Sequence, residues 1–564
     1  MNNNTLIDYL DHWAENAGHK PWLRDLTATG SKDYSWSEGR AEINAVAAAL
    51  EKRFGHGINM LLLSRNCAHW VLADMAIIRS GNVTCPIFTT QAAETVEYLA
   101  AFVEAKVIFV GESTNWQAIK RVLPADITIV TLPGTELPDD VIGAESQCLK
   151  WETLLAEGQG KKPVYNNQPD DAISLVFTSG TTGMPKGVIQ THNSNLIPIR
   201  RAELESPDSE KQNEQIRYLS YLPLSHIAER QIIEFQSLFR GAAVSFNQSL
   251  ETLLSDLQRT QPHIFFAVPR VWQQFQQAIV EKYGGFEAFE RKLTEDQDGF
   301  GKQVLTEFGF GEAFYSASGS APLSASLIEW WEALGLEIME GFGQTEAMNL
   351  IISRDGCRRV GSIGKPLDGV EYKITEAGEL VVRTDGLTPG YYKQPEKTAE
   401  LFQDGWLHTG DKARVDEDGF VFITGRVKDY FKTIHGKFVA PPPIEGQFAS
   451  NEHVEQQCLI GRGFSKTVMV AVLTQAASNE PKQNVETSIQ ETVTAINNTI
   501  EKHARIGAVI ITLEPWTIDS GVLTPTLKIR REKIDERFAE LGERLALESA
   551  EKGQLLLHWI GEYE

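Results

Sequence analysis

Ile173–Gly187 reads ISLVFTSGTTGMPKG. Its first five residues, Ile173–Phe177, form the short apolar run that a buried strand requires. The next ten, Thr178–Gly187, hold three glycines, four hydroxyls and Lys186. Glycine lets the backbone turn through positive φ and brings N–H groups close to a ligand. Consecutive N–H groups, hydroxyl donors and one lysine together make a cradle for phosphate oxygens. The loop is not a Walker A loop, which would need Gly at Pro185 and Ser or Thr at Gly187. A flexible surface turn is the plain alternative, and the preceding strand and closing lysine argue against it.

The same strand-and-helix rhythm continues on both sides. Upstream, Asn59–Ser64 and Lys106–Val110 read as buried strands, with helices at Ala41–Phe54 and at Trp70–Ser80, the latter stopped by Gly81. Leu132–Asp140 reads as a loop. Downstream, Ala242–Phe246 and Ile264–Ala267 read as strands, Leu250–Arg259 and Trp272–Tyr283 as helices. Such alternation implies α/β architecture with parallel sheets. From about Val360 the texture becomes short β runs between Gly- and Asp-rich turns (Tyr372–Ile374, Glu379–Arg383, Phe420–Thr424), which predicts an antiparallel unit. After Arg426 strands are expected at Val454–Ile460 and Thr467–Leu473, then a solvated loop Gln475–Thr487 and a helix Ser488–His503.

The chain has 564 residues, more than one core usually serves, so several domains are expected. Its formal charge is -23, which disfavours nucleic acid and anionic lipid as partners. Five scattered cysteines without metal spacing argue against a disulfide framework and a zinc site. The polar start MNNNTLIDYL is neither a secretory nor a transit signal, and no apolar run approaches the ~20 residues that span a bilayer. A cytoplasmic setting is expected, with peripheral contact at a membrane face left open, as are monomer and homodimer.

The loop TSGTTGMPKG resembles the hallmark of the adenylate-forming (AMP-binding) superfamily, and further motifs of that family follow in order. Gly341–Glu346, GFGQTE, is similar to its GYGxTE element; Ser318–Pro322, SGSAP, to its strand beside adenine and acyl group, though alone it reads equally as a turn. Trp406–Asp411 (WLHTGD) precedes Arg426, and Asp404–Glu445 as a whole resembles the signature of fatty acyl-CoA ligases. Tyr221–Arg230, YLPLSHIAER, lacks the Asp of amino-acid-activating relatives and looks like the corresponding element of long-chain acyl-CoA synthetases. Leu523–Lys528, LTPTLK, resembles the C-terminal catalytic motif.

The resemblance implies an α/β fold with a large N-terminal domain, 1–427, of two parallel-type αβ subdomains and a small antiparallel β subdomain. A smaller mobile α+β domain, 428–564, would follow. It implies ATP-dependent ligation of a long-chain fatty acid to coenzyme A through an acyl-adenylate, with Mg²⁺. Thr178, Ser179, Gly180, Thr181, Thr182, Gly183 and Lys186 would then hold phosphates. Gly341, Phe342, Gly343 and Gln344 would border adenine, with Thr345 at the α-phosphate and Glu346 on Mg²⁺. Asp411 and Arg426 would take the ribose, Gly319 and Ser320 the acyl group, and Lys528 would catalyse adenylation. Lys428 would be the hinge, and Gly436 and Lys437 would enter for the thioester step. His226 reads either as a gate to the acyl site or as a packed histidine, and Glu229–Arg230 as a local ion pair. An acyl-AMP ligase loading a carrier protein, a luciferase-like oxygenase, and an inactive nucleotide- or lipid-binding regulator are the competing readings.

Overall fold

The computed structural model describes residues 4–135, 147–178, 185–205, 214–321, 323–518, 520–524 and 528–561. A seven-stranded sheet runs in the order Gln147–Lys150, Thr128–Thr131, Val107–Val110, Asn59–Leu63, Val83–Ile87, Ala172–Thr178, Lys186–Thr191. All neighbours are parallel except the last pair. Val107–Val110 and Thr128–Thr131 are buried along their whole length, which is why the sequence shows solid apolar runs rather than alternation. Helix Trp36–Phe54 covers this sheet, started by a capping box between Ser35 and Glu38 and stopped at Gly55.

A second unit holds two mixed sheets. One pairs Ile264–Ala267, Tyr315–Ser318 and Ile338–Gln344 in parallel, then Ala347–Ile352 and Lys365–Pro366 antiparallel. The other joins Arg217–Ser220 and Ala243–Phe246 to the hairpin Pro21–Thr27/Gly30–Ser35, with Leu23 opposite Val244. The N-terminal hairpin therefore belongs to strands some two hundred residues away. Glu371–Ile374, Glu379–Arg383, Phe402–Gln403, Trp406–Val415 and Val421–Arg426 form the expected antiparallel unit.

The chain after Arg426 builds its own four-stranded sheet, Val454–Ile460, Thr467–Leu473, Ile506–Thr512 and Leu556–Ile560. Each face has its own core: Val485, Ile489 and Phe448 on one, Trp516, Phe538 and Ala546 on the other. One expectation is corrected here. The helix spans Lys482–Thr499, not Ser488–His503, so the second half of the expected loop, from Lys482 on, is its first turns. Val485, Ile489, Val493 and Ile496 are its buried stripe, hidden in the sequence by polar neighbours. None of the described helices is long and apolar enough to cross a membrane.

Candidate active site

The carboxyl ends of four strands (Ala172–Thr178, Ile264–Ala267, Tyr315–Ser318, Ile338–Gln344) meet at one cavity of about 2050 Å³, where open α/β sheets bind ligands. The C-terminal domain closes over it and contributes Lys528 and Glu455 to the lining.

Thr345 and Glu346 form the turn of the hairpin between Ile338–Gln344 and Ala347–Ile352. The Glu346 Oε1 accepts from the Tyr391 hydroxyl at 2.7 Å, and the Lys186 Nζ lies 4.7 Å from the centre of the Tyr391 ring. Burial pulls the Lys186 ammonium below its ordinary pKa, and Glu346 opposes that shift. The Thr345 carbonyl accepts from the Gln190 side chain at 2.7 Å, which fixes the turn. Gly343 is required: a Cβ there would stand 2.9 Å from the Asn349 nitrogen. Phe342 lines the cavity.

Asp411 and Arg426 are register partners on adjacent strands, with Arg426 Nε donating to Asp411 Oδ1 at 3.0 Å. Burial raises the Asp411 carboxyl, and Arg426 offsets part of the rise. The Glu379 carboxylate braces this strand, contacting His408 Nδ1 and accepting from the Gly410 N–H, both at 2.9 Å. Gln344 donates to the Thr409 carbonyl at 3.3 Å and joins this strand to the hairpin.

Gly319 packs where a Cβ would meet the Phe266 ring at 3.3 Å, and Ser320 holds a left-handed φ of 69°. Beyond Gly319 and His226 the cavity follows the strands down to the register partners Ile264 and Tyr315. These lie three residues before Ala267 and Ser318, ~10 Å deeper at the usual strand rise. Ile199, Ile232 and Met348 also line the cavity, as do Glu203 and Arg240, which pair with each other.

Lys528 lines the cavity, its backbone N–H donating to Thr524 Oγ1 at 3.0 Å. Burial brings its pKa down to about 8, helped by Arg426 and opposed by Asp411. The His226 Nδ1 accepts from the Ala228 N–H at 3.2 Å and so caps a short helix. Burial, with Lys528 second, lowers its pKa to about 3. The ring is neutral, and its Nε2 carries the hydrogen.

Not every expected residue sits in the cavity. Gly436 and Lys437 are exposed on the turn between Phe431–Lys432 and Phe438–Val439, outside it. Lys428 stands exposed at its edge. Ser179, Gly180, Thr181, Thr182 and Gly183 lie outside the described residues. Glu229 and Arg230 do not pair with each other. Glu229 accepts from Ser220 Oγ and the Tyr221 N–H, and burial raises its pKa to about 8. Arg230 instead pairs with Asp74 and Glu234 and donates to Ser174, all fully buried.

The AMP-binding enzyme family model matches residues 10–392, and that of the AMP-binding enzyme C-terminal domain matches residues 428–545. The chain belongs to the AMP-binding enzyme family. Among relatives of this AMP-binding enzyme, peroxisomal long chain acyl-CoA synthetase 7 of Arabidopsis thaliana is 27% identical, covering 97% of this chain and 87% of its own length. The long-chain-fatty-acid–CoA ligase FadD15 of Mycobacterium bovis is 28% identical, covering 90% and 91%. The fold is shared with the A-PCP didomain of a carboxylic acid reductase from Segniliparus rugosus in complex with AMP, at TM-score 0.81 and 21% identity over 98% of this chain and 83% of that one. It is shared also with the anthranilate CoA ligase AuaEII in complex with anthranoyl-AMP, at TM-score 0.77 and 22% identity over 96% and 98%.

Two residues of the site were not anticipated. Tyr391 stands between Lys186 and Glu346 because its segment bridges to Val188 and so extends the edge of the first sheet. Glu340, half-buried on the strand Ile338–Gln344, accepts from the Leu323 and Gly361 N–H groups; burial takes its pKa up to about 7. Each is bound to a partner distant in sequence, and no local pattern marks either.

Proposed function

We propose that this AMP-binding enzyme joins a long-chain fatty acid to coenzyme A in two steps, through an acyl-adenylate, releasing pyrophosphate and then AMP. One observation carries the reading. Lys186 with Glu346, Asp411 with Arg426, and Lys528 line a single cleft that continues into a largely apolar recess.

In the first step a carboxylate oxygen bonds to the α-phosphorus of ATP and the bond to pyrophosphate breaks. Two anions must approach, so the need is for positive charge rather than a base. Lys186 and Lys528 supply it, and Asp411 is suited to accept from both ribose hydroxyls with its two oxygens. A magnesium ion, held by Glu346, would neutralise further phosphate charge. The donor set fits: one carboxylate braced by Tyr391 leaves most ligand positions to phosphate and water, as magnesium prefers. In the second step the thiol sulfur attacks the acyl carbon and AMP departs. We assign the step to a swing of residues 428–564 against 1–427 about Lys428, which carries Gly436 and Lys437 inward and Lys528 away. Chain preference follows from the recess, where each methylene buried is worth ~0.8 kcal/mol; the names of the relatives point the same way. Scattered cysteines suit a reducing, cytoplasmic setting.

Fatty-acid-dependent pyrophosphate release, measured across chain lengths with and without CoA, tests the reading. Release with long acids and thioester only with CoA are expected. No pyrophosphate with any carboxylic acid would end the proposal, and turnover only with a carrier protein would change the acceptor.

A further inference from the structure

Arg270 is the second residue of helix Pro269–Lys282, directly after the buried strand Ile264–Ala267 that walls the cleft. A cation in a first helical turn opposes the helix dipole, and this turn contains no acidic residue to offset it. Its partner comes from the other domain. Arg270 Nη2 donates to Glu455 Oε1 at 2.7 Å, and the two side chains are only 23% and 26% exposed. Both line the cavity that receives Lys528.

Glu455 is tied to Lys528 through its strand. The next residue, Gln456, exchanges two hydrogen bonds with the Trp516 backbone, 3.0 Å from its amide to the carbonyl and 2.7 Å from the Trp516 N–H back. Trp516 is buried in the C-terminal core and begins the segment that ends in Thr524 and Lys528. A cation of the large domain thus grips a strand whose neighbouring residue anchors the base of the lysine's own segment. In the same pose the Gly436–Lys437 turn is outside the cleft.

We propose that the Arg270–Glu455 ion pair is an interdomain latch that seats Lys528 for adenylation and must part before thioester formation. Arg270 and Glu455 are then positioning residues, acting through Lys528. The inference rests on the two-step reading above.

The test uses full-length Arg270→Gln and Glu455→Gln, and the reversed pair Arg270→Glu/Glu455→Arg with its single reversals. Two half-reactions are read separately: fatty-acid-dependent ATP–pyrophosphate exchange, and thioester formation from supplied acyl-adenylate and CoA. Each neutral variant is expected to slow exchange about tenfold in kcat, equivalent to ~1.4 kcal/mol. KM for ATP should stay within about twofold and thioester formation should be undiminished or faster, a split that misfolding would not produce. The reversed pair should exchange faster than either single reversal. Parallel loss in both half-reactions, unchanged exchange, or a reversed pair no better than its singles would each overturn the latch. Absence of exchange in the unaltered protein with every acid would instead overturn the two-step reading.

Discussion

Lys528 carries a charge that its surroundings make expensive. Burial brings its pKa to about 8, so it is a cation below that pH and loses its charge above it. Adenylation kcat/KM, which reports the free enzyme, should therefore fall as pH rises through about 8. In Lys528→Arg the alkaline fall should vanish, because a guanidinium stays charged; a pH profile of pyrophosphate exchange reads both. Tyr391 offers a second test. Tyr391→Phe keeps the ring under Lys186 but removes the hydroxyl that braces Glu346. The magnesium concentration giving half-maximal exchange should rise several-fold, with Tm moved by no more than a few degrees. The contrast between these residues also explains what could be read in advance. Lys186, Glu346, Asp411, Arg426 and Lys528 lie in runs whose order is itself informative. Tyr391 and Glu340 act through partners folded in from elsewhere.

Among the elements, Arg230–Phe235 is a π-helical segment, and its first residue is the hub of a buried charge cluster. Arg230 contacts Asp74, Glu234 and Ser174 and lies against the rings of Trp70 and Phe235. Burial and the nearby Asp74 push the Glu234 carboxyl well above its ordinary range even with the arginine present. Arg230→Met should cost ~3–5 kcal/mol in denaturant unfolding at pH 7, since it strands two carboxylates without a cation. The Glu234 carboxyl is protonated more readily in the folded than in the unfolded chain. The deficit should therefore grow as pH rises and shrink towards pH ~5. Elements were legible where burial left a solid apolar run, as at Val107–Val110, and where apolar residues kept helical spacing, as at Ala41–Phe54, although that helix begins earlier, at Trp36, with a cap at Ser35. They were not where a buried stripe was diluted by polar residues, as at Lys482–Thr499, or where a hairpin joined a distant sheet, as at Pro21–Ser35.

For the molecule as a whole, the proposed function makes the recess beneath the cleft the feature that sets which acids fit. Ile232 on the π-helical segment and Met348 on the strand Ala347–Ile352 both line the cavity. Ile232→Trp should reduce kcat/KM for long acids at least tenfold while sparing short ones, as measured across a chain-length series; equal loss at every length would deny the recess its role. The antiparallel unit and the separate sheet after Arg426 could be read in advance because the chain's texture changes at about Val360 and again after Arg426. The depth of the recess could not, because it is made by side chains from several distant segments.

The cavity is closed on one side by a domain that packs both faces of its own sheet, so the proposed swing would lift that lid without exposing its cores to water. In the proposed two-step reaction, what lifting would expose is the mixed anhydride. Each early opening lets water take the acyl group, so ATP is consumed and no thioester is made. The fit of the lid is therefore a matter of metabolic yield as much as of rate. AMP released per thioester formed should stand close to one in a tight enzyme and climb in proportion to leakage.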